Sequence, residues 1–332
     1  MYNLGVIGCG YMGKAHLENI PADKVNIYAV CDIDKDLADA TAEEYGVKAY
    51  YDAKQLIEDE NVQIVIIATY PASHLSILEM CLENKKHVLC EKPISDNIAD
   101  AQKFKDLVEQ NPDCKVAMGY ILRHNETFLK IKEMIDNDAL GRPIVMRWTH
   151  NQNNDTRLSA LNNILDEVSP IVDCGVHYID LMRWVTGEEI EGVDGFGANT
   201  NPELPTGSYN YGMINLNLSG GSVGFYETGW AKSFSNTDTK EFIGPKGKIM
   251  LTYKTERGVM GYMGNLITYY DTESGKVQRI NVPFKNKPTG KQLEHLIKMI
   301  EENAPANPSI NDIIKSFETA WKADEIIRKK LK

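Results

Sequence analysis

The chain has 332 residues, a formal net charge of −11, and 42% hydrophobic against 25% charged residues. That length exceeds what one hydrophobic core usually serves, so two domains are expected, and the composition excludes a disordered chain. The acidic balance excludes wrapping a nucleic-acid backbone, which calls for clustered Lys and Arg; the basic end Arg328, Lys329, Lys330 and Lys332 reads as a cationic last helical turn answering the helix dipole.

Taken in chain order, Leu4–Ile7 and Val25–Val30 are apolar runs flanking a helical pattern from Met12 to Ile20, a βαβ unit of roughly 30 residues. The alternation continues with a helix over Leu37–Tyr45, a short strand at Ala49–Tyr51 and a helix over Ala53–Asp59. Val62–Ala68 is apolar apart from Gln63, as in a parallel strand buried on both faces. Helix Ser73–Asn84, strand His87–Cys90, helix Ile98–Glu109 and strand Val116–Gly119 complete a pattern that predicts a doubly wound parallel sheet.

Beyond Tyr120 the rhythm changes. A helix over Glu126–Asp136, a strand over Ile144–His150 and a long helix over Pro170–Thr186 precede successive strands at Tyr209–Ser219, Ser222–Trp230, Thr239–Ile243, Lys248–Tyr253, Asn265–Tyr270 and Val277–Val282. Short turns between some of these predict an open, mainly antiparallel sheet with helices on one side. Helices at Lys291–Asn303 and Ile310–Leu331 end the chain. The expected division is a dinucleotide-binding α/β Rossmann domain over 1–121 and an α+β domain for substrate binding and oligomerisation over 122–332.

The six cysteines form no C-x-x-C pair and sit mostly in apolar runs, so they read as small buried residues rather than a disulfide lattice or zinc site. With no charged leader and no apolar run near the roughly 20 residues that span a bilayer, a reducing cytoplasm is the expected location and no membrane contact is expected.

The first turn, Gly8-Cys9-Gly10-Tyr11-Met12-Gly13, is a G-x-G-x-x-G between strand and helix. Its first glycine permits the tight turn, the second lets a pyrophosphate approach the backbone, and the third lets helix and strand pack closely. Asp32 ends the second strand 24 positions after Gly8, the spacing of a carboxylate that binds ribose hydroxyls; the other role open to it is capping the next helix, for which Asp34 is better placed. Asp32 repels a 2′-phosphate and only Lys35 lies near, so NAD is favoured over NADP. Ile33 beside Asp32, and Thr69-Tyr70 at the end of the central strand, complete the expected cofactor border with Tyr11 and Met12.

Glu91-Lys92-Pro93 follows the fourth apolar strand, at the edge where doubly wound sheets bind ligands. A lysine there is either a solvated loop charge or a group aimed at the cofactor crevice. Asp173 and His177, at i and i+4, share one helix face and serve either as a surface pair or as a joint site. No third ligand has the spacing for a metal. Asp180 is placed either to orient His177 or to pair with Arg183.

The glycine turn through His16, Glu91-Lys92-Pro93, and Asp173-x-x-x-His177 followed by Ile179-Asp180 and Trp184 together resemble the Gfo/Idh/MocA oxidoreductases, over nearly the whole chain. The resemblance implies that Lys92, Asp173 and His177 are catalytic, that Glu91 and Lys92 border the cofactor, and that hydride passes between a substrate carbinol carbon and nicotinamide. A histidine poised near neutrality suits removal of the hydroxyl proton, and Lys92 suits stabilisation of alkoxide character. The same resemblance brings Arg123 near the substrate, a domain-linking salt bridge being its other reading. His16 and His74, at helix starts, read as packing residues. The amide-rich segment Asn151–Arg157 suits a sugar or cyclitol, with Asn151 as the candidate contact, or is a polar surface loop. One departure from the family is Glu167–Val172, where many members carry a glycine-rich stretch.

The expected function is NAD-dependent oxidation of a small polyhydroxylated molecule such as a sugar or inositol. The alternatives are an enzyme that retains NAD for transient redox, as in internal redox or eliminative glycoside cleavage, and a non-catalytic nucleotide sensor. Apolar positions such as Met213, Leu216 and Leu218 lead to an expected homodimer or homotetramer built through the C-terminal sheet.

Overall fold

The computed structural model describes residues 1–153, 168–201, 204–253, 264–283 and 287–331. The chain divides into two compact units, one of Met1–His124 with Lys287–Lys315 and one of Asn125–Asn286 with Ser316–Lys332.

In the first unit, strands β1 (Tyr2–Ile7), β2 (Val25–Cys31), β3 (Lys48–Tyr50), β4 (Ile64–Ile67), β5 (His87–Cys90) and β6 (Val116–Met118) form a parallel sheet in the order β3-β2-β1-β4-β5-β6. All four residues of β4 are buried, as expected of a central strand covered on both faces. Between the strands lie helices α1 (Tyr11–Leu17), α2 (Lys35–Tyr45), α3 (Ala53–Glu58), α4 (His74–Glu83) and α5 (Ile98–Gln110). Asp34 caps α2, its carboxylate accepting from the Asp36 and Leu37 amides, as its sequence position predicts. Burial pushes the Cys9 thiol up to about 11 and the Cys31 thiol up to about 12, so both stay protonated and pack as small apolar groups.

The sequence predicts one break near residue 121. The structure instead returns Lys287–Lys315 to the first unit. Leu293, Leu296, Ile297 and Met299 are buried in the same core cluster as Leu4, Val6, Leu17, Ile64, Ile66 and Leu89. One wall of that core therefore comes from near the chain's end. Such a long-range pairing leaves no trace in local periodicity.

The second unit follows from α6 (Glu126–Asp136). Among the described residues its sheet holds eight strands: β7 (Val145–Gln152), β8 (Ile190–Ala198), β9 (Tyr211–Leu218), β10 (Val223–Trp230), β11 (Thr237–Gly244), β12 (Gly247–Thr252), β13 (Asn265–Asp271) and β14 (Val277–Val282). The order is β14-β13-β12-β11-β7-β10-β9-β8, antiparallel except where β7 and β10 run parallel. Strand β8 was not expected, because Gly192, Gly195 and Gly197 interrupt its apolar pattern. Those glycines serve packing: a β-carbon on Gly197 would lie 2.4 Å from Ile327 of the last helix.

The expected helix over Pro170–Thr186 is two helices, α7 (Pro170–Asp173) and α8 (Gly175–Thr186), with a turn at Cys174. Ser169 caps α7, its Oγ accepting from the Val172 amide, and Pro170 stands where its missing N–H costs nothing. Gly187, with φ of 69°, closes α8 in the left-handed region. Two further helices follow, α9 (Thr289–Glu302) and α10 (Ile310–Lys330). No helix among the described residues is long and apolar enough to cross a membrane.

The pleat also corrects the expected association face. Leu216 and Leu218 point with Ile214 into the core, and only Met213 of the three named residues lies on the other face.

Candidate functional site

The glycine turn has the shape that its spacing predicts. Gly8 adopts φ of 95°, and a β-carbon on it would lie 2.4 Å from the Ala68 carbonyl oxygen. A β-carbon on Gly13 would lie 1.9 Å from the Gly8 carbonyl oxygen. Gly10 is different: it is exposed, and nothing lies within 4 Å of where its β-carbon would be. Open space over the middle glycine, walled by two glycines that cannot be enlarged, fits a dinucleotide's diphosphate.

Asp32 stands at the end of β2 with its Oδ2 accepting from the Cys9 amide at 2.8 Å and its Oδ1 from the Asp34 amide at 3.0 Å. The carboxylate is thus fixed to the glycine turn itself. Ile33 is 92% exposed, Tyr11 57% and Tyr70 45%. Large side chains left so open along one edge of a sheet otherwise sealed in its core suit a flat, partly apolar ligand. Thr69 is half-buried, and its hydroxyl accepts from Ser73 Oγ at 2.7 Å.

Sequence reasoning missed Lys287. Its ammonium lies 4.0 Å over the Tyr11 ring and 3.0 Å from Met12 Sδ. Burial pushes its pKa down, with Tyr11 and Glu91 opposing. A residue 275 positions from Met12 offers no local signal of this proximity.

Lys92 follows β5 and is half-buried, its amide donating to Glu91 Oε2 at 3.3 Å. Glu91, expected beside the cofactor, is only 4% exposed and turns its carboxylate inward to His16 Nε2 at 2.7 Å. His16 therefore does more than pack. Arg123 is 6% exposed, donating to Asn307 Oδ1 at 3.0 Å and lying 3.5 Å from Asp312. Both of these partners belong to its own unit.

In the second unit Asp173, Cys174 and His177 are half-buried, whereas Val172, Gly175, Val176 and Tyr178 are buried. The carboxylate and the imidazole thus share one half-open edge despite the turn at Cys174. Tyr178 anchors that edge: its ring stacks on Tyr226 at 4.7 Å and meets Trp148 edge-on at 6.1 Å. Asp180 is buried, and Arg183 forks onto Glu189 with bonds of 2.8 to 3.0 Å.

Beneath Tyr178 runs a charged row that the sequence did not disclose. Lys240 is fully buried, paired with Asp238, donating to the Thr149 carbonyl at 3.1 Å and lying 4.6 Å over the Tyr178 ring. Burial alone would raise the Asp238 pKa, but the Lys240 charge and the His150 hydrogen bond hold it below the usual carboxylate range. His150 Nδ1 lies 3.3 Å from Asp238, and its ring is 5.5 Å from that of Tyr178.

The pleat sends Asn151 the other way, where its amide donates to Glu227 at 2.8 Å. Asn151 therefore does not join Asp173 and His177; its neighbour His150 lies on their side of the sheet. The remainder of the amide-rich segment, Asn154-Asp155-Thr156-Arg157, and Glu167 lie outside the described residues.

Residues 2–120 match a family model described as an oxidoreductase family with an NAD-binding Rossmann fold, and residues 128–250 match a GFO/IDH/MocA C-terminal domain. Myo-inositol 2-dehydrogenase of Thermotoga maritima is 31% identical over 74% of this chain and 74% of its own. Inositol 2-dehydrogenase of Rubrobacter xylanophilus is 30% identical over 75% of this chain and 70% of its own. The fold is that of scyllo-inositol dehydrogenase from Lactobacillus casei, solved with NAD(H) and scyllo-inositol bound: the TM-score is 0.80 at 21% identity, covering 99% of this chain and 98% of that one.

Proposed function

The chain belongs to the Gfo/Idh/MocA oxidoreductases, and from that membership and its own residues we infer an NAD-dependent dehydrogenase that oxidises a carbinol carbon of an inositol or a related polyol. The observation that carries the reading is the presence of Lys92, Asp173 and His177 together in a chain that matches inositol 2-dehydrogenases over about three-quarters of its length (74% and 75%).

Gly8, Gly10 and Gly13 shape the space for the diphosphate; Asp32, Ile33, Thr69, Tyr70, Tyr11 and Met12 border the rest of the dinucleotide. The nicotinamide, when bound, supplies the hydride acceptor. His177 takes the hydroxyl proton, a task suited to an imidazole near neutral pH. Lys92 stabilises the negative charge that develops on the substrate oxygen as that proton leaves. Asp173, on the same helical edge as His177, accepts from a substrate hydroxyl. The row of Tyr178, Lys240 and Asp238 keeps that edge from rotating.

The test is a panel of inositols, sugars and their keto derivatives with NAD and with NADP, followed by the absorbance of the reduced nicotinamide. Net NADH formation with a polyol is expected; its absence across the panel rejects the reading. NAD is preferred because the Asp32 carboxylate stands where a 2′-phosphate would bring further negative charge. Asp32→Ser is expected to narrow the NAD/NADP ratio of kcat/KM by about tenfold or more, since removing that repulsion is worth roughly 1.4 kcal/mol or more; an unchanged ratio overturns the assignment.

The second unit's sheet leaves Val145, Val223 and Phe225 exposed on the face that carries Met213, and we assign self-association to that face. Sedimentation at micromolar concentration should give a dimer or tetramer, and a Phe225→Glu variant should shift it toward monomer. A wild type that sediments as a monomer refutes the assignment. A cytoplasmic location goes with the free thiols of Cys9, Cys31, Cys81 and Cys90, all four buried.

A further inference from the structure

Three buried polar side chains of the first unit have no task in the reaction just described: His16, Glu91 and His74, exposed by 1%, 4% and 0%. All converge on the loop that carries Lys92. Glu91 Oε1 meets His16 Nε2 of α1 at 2.7 Å, while Glu91 Oε2 accepts from the Lys92 amide at 3.3 Å. On the loop's other side, His74 Nδ1 lies 3.0 Å from the Pro93 carbonyl oxygen. The same ring reaches the Thr69 carbonyl oxygen through Nε2 at 3.1 Å. One imidazole therefore spans the loops that follow β4 and β5.

Room for this arrangement is built in. A β-carbon on Gly119, just beyond β6, would lie 2.6 Å from Glu91 Oε2, so any other residue there would displace the carboxylate. A buried carboxylate needs its partners, because an unpaired charge in the interior is costly. Burial also pushes the His74 pKa down, against the pull of the two carbonyls and of Glu91.

We propose that His16, Glu91 and His74 are positioning residues that hold the Glu91-Lys92-Pro93 loop, and with it the Lys92 ammonium, in one backbone conformation in register with Thr69. The inference rests on the reading of Lys92 as the group that faces the substrate oxygen. Displacing a reacting group by about an ångström costs on the order of a hundredfold in rate, so the clamp acts on turnover without touching the substrate.

The test compares Glu91→Ala, Glu91→Gln and His74→Gln with the wild type. The Glu91→Gln side chain preserves shape and keeps one oxygen to accept from the Lys92 amide, its NH2 then facing the unprotonated ring nitrogen of His16, and the His74→Gln amide reaches one carbonyl but cannot span two. Five quantities are measured: Tm, NADH Kd by fluorescence, kcat, KM, and the pH dependence of Lys92 acetylation by acetic anhydride, read by peptide mass spectrometry. Glu91→Ala and His74→Gln are expected to lower kcat by about tenfold or more, to leave NADH Kd and polyol KM nearly unchanged, and to shift the Lys92 acetylation profile. Glu91→Gln is expected to restore most of both. A folded Glu91→Ala or His74→Gln with wild-type acetylation and kcat overturns the clamp, as does loss of NADH binding in place of turnover. Should Glu91→Ala fail to fold, His74→Gln decides alone. If the wild type turns over no polyol, the functional reading fails; the acetylation profile still decides whether Lys92 is held.

Discussion

His177→Ala is expected to lower kcat/KM for the polyol by about 10²–10⁴-fold, the range associated with loss of a positioned general base. The argument is local. Tyr178 is locked between Tyr226 and Trp148, so the helix keeps its place when the neighbouring imidazole is removed. His177 is itself half-buried, so its truncation removes a side chain from the margin of the core and not from its centre. The fold should therefore survive, and Tm should move little. Because proton removal then falls to water, the acid limb of the pH profile of kcat/KM should disappear along with the rate. Lys92→Met should cost about 10²–10³-fold in kcat, the usual loss when a donor to a developing oxyanion is removed. If both variants keep full turnover with an identified substrate, neither residue has the role assigned here.

Two glycine substitutions, three residues apart, should have opposite signatures. Gly13→Ala drives a methyl to 1.9 Å from the Gly8 carbonyl oxygen, a contact that only movement of the turn relieves. Its Tm should fall and NADH binding should be lost with it. Gly10→Ala meets nothing within 4 Å, and Gly10 already has φ of −70°, which alanine adopts freely. Its Tm should match the wild type. The added methyl fills the space reserved for the diphosphate, however, and losing one charge-assisted hydrogen bond of roughly 1.5–3 kcal/mol weakens NADH binding by about 10–100-fold. Calorimetric unfolding and fluorescence titration separate the two effects. A Gly10→Ala protein that binds NADH like the wild type would show that the diphosphate lies elsewhere.

What the sequence discloses follows the range of the forces involved. The parallel sheet was legible because runs such as Ile64–Ile67 are apolar on both faces, and the glycine turn because its three steric demands fall within six consecutive residues. Asp34 as a cap and Asp32 as the strand-end carboxylate were legible for the same reason. Residues that act through distant partners were not. His16 read as packing because Glu91 is 75 positions away, and Lys240 read as a strand residue because nothing in Thr237–Gly244 reveals that its ammonium lies under Tyr178. Asn151 illustrates another limit. An amide-rich run predicts affinity for hydroxyls, but the one-residue alternation of a strand decides which face each amide serves, and it gave the helix-facing position to His150.

The return of Lys287–Lys315 to the first unit also dictates an order of events during synthesis. A nascent chain that has just passed residue 121 carries all six strands of the parallel sheet but lacks Leu293, Leu296 and Ile297, so apolar side chains such as Leu17 and Leu89 wait without their cover. At about 5–20 residues per second the ribosome needs on the order of ten to forty seconds to deliver that helix. That interval is when chaperones would find the half-built sheet.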